Sequence, residues 1–77
     1  MKAKAKYVLT RCANGKERRF NTKDTAVEFA RREIARMGYG DIDEIIDWDD
    51  GKFFEIFVDV SGNRMKVYTV QLEVEFE

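Results

Sequence analysis

Ile45-Ile-Asp-Trp-Asp-Asp-Gly-Lys-Phe-Phe-Glu-Ile-Phe-Val-Asp-Val60 is the stretch that decides the fold. Asp50-Gly51 stands between two runs of strand-forming residues. A two-residue type I′ turn needs positive φ at both central positions, and Asp-Gly tolerates that. Pairing across the turn sets Trp48 beside Phe53 and Ile45 beside Ile56. Side chains alternate along a strand, so Phe54, Ile56, Val58 and Val60 share one face. Phe53 and Phe57, set between Glu55 and Asp59, share the other. Both faces carry large apolar groups, yet one helix covers only one face.

Ser61-Gly62-Asn63 marks a further turn, leading into a strand over 64–76. A two-residue loop brings Met65 and Val67 to the Phe54 face. A three-residue loop with Asn63 left-handed brings Tyr68, Val70 and Leu72 there and leaves Met65, Thr69, Gln71 and Glu73 outside. The three-residue loop gives the cleaner inside face and is the expectation. The outer face then shows Trp48, Phe53, Phe57, Val67 and several acids.

Upstream, residues 4–12 and 16–20 read as a hairpin around Asn14-Gly15. A two-residue loop there sets Leu9 opposite Phe20 and Arg11 opposite Arg18, with Tyr7, Leu9 and Phe20 inward. Ala26, Val27, Ala30, Ile34 and Met37 then recur at helical spacing. Asn21 or Thr22 can cap this helix, and Thr25 with Glu28 has capping-box spacing. Gly38 is the expected stop. Arg32 and Arg36 point away from the apolar stripe, and Phe29 lies at its edge. Strands over 42–48 and 52–60 complete an α+β single domain over 1–77. It is a single helix packed on a mostly antiparallel sheet, in the order β-β-α-β-β-β. Strand order does not follow from the sequence.

Charge is segregated along the chain. Residues 1–36 hold eleven Lys/Arg against four Asp/Glu, a net +7, and residues 37–77 hold three against eleven, a net −8. Such a split bears on partners and steering rather than on fold. Catalysis is hard to assemble from 77 residues without His, which excludes Ser-His and Cys-His pairs and imidazole ligands. Cys12 faces away from the hairpin's apolar side and has no partner for an internal disulfide. Residues 41–50 are acidic, but placing Gly51 at the sixth position of a calcium loop puts Ile46 and Trp48 at the first and third, so the pattern fails. No metal, cofactor or enzymatic activity is implied. Nothing near Met1 reads as a signal peptide, and no apolar run is long enough to span a membrane. The chain reads as cytoplasmic.

Three readings of function follow. In the leading one, Asp43, Glu44, Asp47, Trp48, Asp49, Phe53, Glu55, Phe57 and Asp59 form an acid-rimmed aromatic surface that docks on another protein. Aromatic residues dominate binding hot spots, and exposed apolar patches mark interaction sites. In the second, Arg18, Arg19, Arg31, Arg32 and Arg36 contact nucleic-acid phosphates, the basic group as a whole extending to Arg11, Lys16 and Lys23. Its bland counterpart is a solvated helix face with Glu28–Arg32 and Glu28–Arg31 pairs. In the third, two copies pair basic end to acidic end as a homodimer, or the chain is a designed α/β scaffold.

Gly15-Lys-Glu-Arg-Arg-Phe-Asn-Thr-Lys-Asp-Thr-Ala26 looks like the strand-into-helix passage of arm-binding domains in phage integrases, although the acidic strands after it depart from that family. Across the whole chain, Glu17-Arg-Arg-Phe-Asn-Thr-Lys-Asp-Thr-Ala26 leading into the helix, and the closing Gly62-Asn-Arg-Met-Lys-Val-Tyr-Thr-Val70, resemble the layout of small phage-encoded inhibitors, the type I anti-CRISPR proteins. That resemblance implies a stoichiometric binder that occludes a surface of a host defence complex. It carries over no functional residue.

Overall fold

A computed structural model describes residues 3–76. Five strands and one helix follow in order: β1 (Ala3–Arg11), β2 (Glu17–Phe20), α1 (Lys23–Arg36), β3 (Glu44–Asp47), β4 (Phe53–Val60) and β5 (Asn63–Phe76). The strands form one antiparallel sheet in the order β2-β1-β5-β4-β3. The chain is thus α+β with one helix packed on an antiparallel sheet. β5 is the central strand, and it joins an N-terminal hairpin to a C-terminal meander.

The helix forms where a cap, an apolar stripe and a stop coincide. Thr22 is extended, and its hydroxyl accepts from the Thr25 backbone N–H, satisfying one donor that the first turn leaves open. At the other end Gly38 takes φ +90°. The Gly38 N–H reaches the Ala35 carbonyl and the Tyr39 N–H the Ile34 carbonyl. That pair of bonds is a Schellman motif, and only glycine enters the left-handed region without a Cβ penalty. Ala26, Ala30 and Ile34 are fully buried against Leu9, Phe54, Ile56, Val58, Tyr68 and Val70. The two alanines let the helix backbone come close to the sheet.

The Asp50-Gly51 turn is as its sequence implies. Both residues have positive φ, and Ile45 stands opposite Ile56. Two other turns differ from expectation. At Asn14-Gly15 only Gly15 is left-handed. Arg11 N–H bonds the Lys16 carbonyl, so the loop has four residues, and Tyr7 rather than Leu9 stands opposite Phe20. Asn14 instead turns its side-chain oxygen onto the Lys16 N–H. The inward set of Tyr7, Leu9 and Phe20 survives, because the register moves by two and two preserves the face.

The turn after β4 is a two-residue loop, Ser61-Gly62, with φ of 53° and 84°, and Val60 pairs with Asn63. Asn63 is therefore a strand residue, not the left-handed one. Met65 stands opposite Val58, on the helix side. A register shift opposite Ile56/Phe57 then inserts one extra residue into β5, and Tyr68 and Val70 return to Ile56 and Phe54. Val67, expected on the outer face, is buried in the core beside Tyr68. The bulge lets both registers that the sequence offers occur in succession.

The molecule extends over 49 × 23 × 20 Å. A helix of 14 residues spans about 21 Å, so it covers only the middle of the sheet. Ile42, from the connection after the helix, packs on the same core, while Ile45, Val60 and Met65 stay exposed beyond it. No described helix is long and apolar enough to cross a membrane.

Candidate functional site

Alternation along β4 sends Phe53, Glu55, Phe57 and Asp59 to the face opposite the helix. Register places Glu44 and Ile46 of β3 on that face, together with Lys66 and Arg64 of β5. Trp48 follows β3 and holds its place by a backbone N–H bond to the Phe53 carbonyl. Among the described residues no second layer forms there. The connection over 38–43 turns Ile42 towards the helix-side core and leaves the outer face open. Trp48 keeps 63% of its surface exposed, and Ile46, Phe53 and Phe57 are half-buried by their neighbours.

Glu55 organises the centre of this face. One carboxylate oxygen accepts from the Trp48 indole N–H at 2.8 Å, and the other from the Lys66 ammonium at 3.0 Å. These two bonds, Lys66 first, hold the Glu55 carboxyl below its ordinary range, and the same contact raises the Lys66 ammonium. Further along, Arg64 lies over the Phe57 ring at 5.8 Å and pairs with Asp43 and Glu44. The face is therefore an apolar strip whose rim is laced with ion pairs, where the sequence suggests acids alone. Ile46, which alternation alone could have placed, belongs to the strip.

Asp47 does not reach it, and the other expected acids are partly engaged by backbone groups. Asp47 stands opposite Phe54 on the helix side, and its carboxylate accepts from the Gly51 and Asp49 N–H groups. Those bonds, Gly51 first, lower its pKa and close the turn. Asp59 accepts from Gly62 N–H and so closes the Ser61-Gly62 turn. Asp49 lies in the turn, where its carbonyl takes the Lys52 N–H. Asp43 lies before β3 and bonds the Phe57 carbonyl. Two of these acids are thus spent on turn geometry.

The basic residues are not gathered into one surface. Arg19 is on the outer face, beside Val8 in register, and pairs with Glu73 at 3.6 Å. Arg32 reaches Glu28 and Arg36 reaches Glu33 along the helix, and Arg31 bridges Glu28 to Asp41 in the connection after it. Arg18 alone of the five has no carboxylate among the described residues; it lies over Phe29 at 4.7 Å. Arg19–Glu73 and Arg31–Asp41 join the two halves of opposite charge within one chain. The split that dominates the sequence is partly cancelled by folding.

Among the described residues no three carboxylates or thiols converge as a metal site requires. Cys12 is exposed. No protein-family model, curated protein or solved structure matches the chain.

Proposed function

We propose that the chain is a non-catalytic binding module that docks on another protein through the outer face of its sheet, with Trp48, Phe53 and Phe57 as the contact. One observation carries this reading: Trp48 is 63% exposed while its indole N–H is already bonded to Glu55. Burying an indole usually requires a new partner for its N–H. Here the donor is satisfied by the chain's own carboxylate, so a partner needs only an apolar surface. The ring is also held in one orientation before docking, which lowers the entropy lost on binding. The resemblance to small phage inhibitors gives the proposal its sharpest form, stoichiometric occlusion of a surface on a host defence complex.

The test compares the wild-type chain with a Trp48→Gln/Phe57→Ser double variant, both confirmed as folded by amide chemical-shift dispersion. Proteins retained by the wild type and lost by the variant support the reading. Equal retention by the two would overturn it. Light scattering at low and high salt adds a second arm. A dimer at both salts means that the face is covered by a second copy, and the foreign-partner reading then fails.

A further inference from the structure

Arg19, Arg31, Arg32, Arg36 and Arg64 each hold a carboxylate. Arg11 and Arg18 hold none among the described residues, and both line the same cleft. It opens on the helix side, away from the docking face, and has a volume of about 450 Å³. Its walls come from the end of the β1–β2 hairpin, from β5 and from the helix. Lys16 is a further cation of its lining, and Leu9, Phe29 and Tyr68 supply the apolar part.

Arg11 is the unusual member. It is the last residue of β1, opposite Tyr68, and is half-buried. Its Nη2 donates to the Met37 sulfur at 2.9 Å, and its Nε is buried with no acceptor. A thioether is a weak acceptor. A guanidinium drawn from water without a carboxylate is a cost that a fold ordinarily avoids. Arg18 lies over the Phe29 ring and holds no carboxylate among the described residues, so its N–H groups can offer a fork of parallel bonds to an oxyanion. Two carboxylates also line the cleft: Glu33 pairs with Arg36 at 3.3 Å, and Glu17 is exposed at the end of the hairpin. Burial raises the Tyr68 hydroxyl, with Arg11 pulling the other way, so at neutral pH it stays a protonated donor.

We propose that this cleft binds a small ligand made of an oxyanion, carboxylate or phosphate monoester, attached to a flat apolar group. Arg11 and Arg18 take the oxyanion, and Leu9, Phe29 and Tyr68 contact the apolar part. The volume suits such a ligand, since small-molecule sites run from roughly 300 to 1,000 Å³ and combine apolar walls with a few placed polar groups.

The experiment is a titration of the folded, labelled chain followed by amide chemical shifts. The probes are phenyl phosphate and phenylacetate, with inorganic phosphate and benzyl alcohol as half-ligands. Saturable shifts centred on Leu9, Phe29 and Tyr68 with either aryl anion are expected, with both half-ligands about tenfold weaker. The tighter of the two aryl anions identifies the head group. Arg18 is exposed, and Arg18→Gln, checked as folded by its amide dispersion, should weaken the aryl anion about tenfold. Arg11→Met should weaken it comparably while leaving the melting temperature unchanged or raised, which a structural arginine would not do. No saturable shift in the cleft with either aryl anion, or undiminished binding by Arg18→Gln, overturns the proposal.

Discussion

The Trp48 indole N–H and the Glu55 carboxylate meet at 2.8 Å across the outer face, and the same carboxylate takes Lys66 at 3.0 Å. Lys66 and Trp48 together depress the Glu55 pKa. A carboxyl whose folded pKa lies below its unfolded value stabilises the fold above the unfolded value, and that contribution is lost as pH falls through the folded pKa. Trp48 fluorescence and its indole N–H shift should therefore hold steady at neutral pH and change on the acid side, below the ordinary Glu value of 4.5. Glu55→Gln should remove that acid transition from the Trp48 signal. A Trp48 signal that titrates identically in the variant would mean that Glu55 does not set the ring.

Removing the exposed ring should cost little. Trp48→Gln is expected to destabilise the chain by less than about 1 kcal/mol, because surface substitutions away from buried features are usually small. Phe54→Ala, one residue from Phe53 but on the opposite face and fully buried, should cost about 3–5 kcal/mol. Urea unfolding of the two variants measures the contrast. A large loss for Trp48→Gln would make the indole a core residue.

Close approach of the helix to the sheet depends on small side chains. Ala30 is fully buried, and Ala30→Leu should destabilise by about 1–3 kcal/mol through overpacking, although leucine is a good helix former. Thermal unfolding by circular dichroism gives the answer. No change in midpoint would show that the interface has room that full burial of Ala30 denies.

The turn after β4 distinguishes two registers by mutation. Ser61 holds a positive φ, for which asparagine is better suited, so Ser61→Asn should stabilise by about 0.5 kcal/mol. Asn63 is in β5, and Asn63→Gly should destabilise by about 0.5–1 kcal/mol. The opposite pattern would restore the three-residue loop.

These turns show what the chain reveals about its own fold and where it stops. Asp50-Gly51 was legible because both residues enter the left-handed region and the flanking strands keep strict alternation. Asn14-Gly15 carries the same signal, but Asn14 bonds the Lys16 N–H and lengthens the loop. A bulge is invisible to a period-two reading, because one extra residue changes the parity of everything after it. Val67 was misplaced for that reason. Trp48, Phe53 and Phe57 could be placed on one face from alternation alone, whereas the ion pairs that lace it join β3, β4 and β5 through tertiary register. The cleft was harder still. Arg11 and Arg18 are visible as basic residues, but their lack of carboxylates depends on where every acid in the chain ends up.

β5 pairs with β1 from Tyr68 to Phe76, with Ala3 opposite Phe76 and Arg11 opposite Tyr68, and with β4 from Asn63 to Gln71. The β1–β5 ladder joins residues nearly a whole chain apart, whereas the Asp50-Gly51 and Ser61-Gly62 hairpins are local. Loop closure of that length slows folding, and contacts distant in sequence form late. During synthesis the N-terminal hairpin and helix emerge with most of their core absent, since Phe54, Ile56 and Val58 belong to β4 and Val67, Tyr68 and Val70 to β5, both made later. Folding of this chain is therefore expected to be a late event that waits for β5. Until then Leu9, Ala30 and Ile34 stand open to chaperones and proteases.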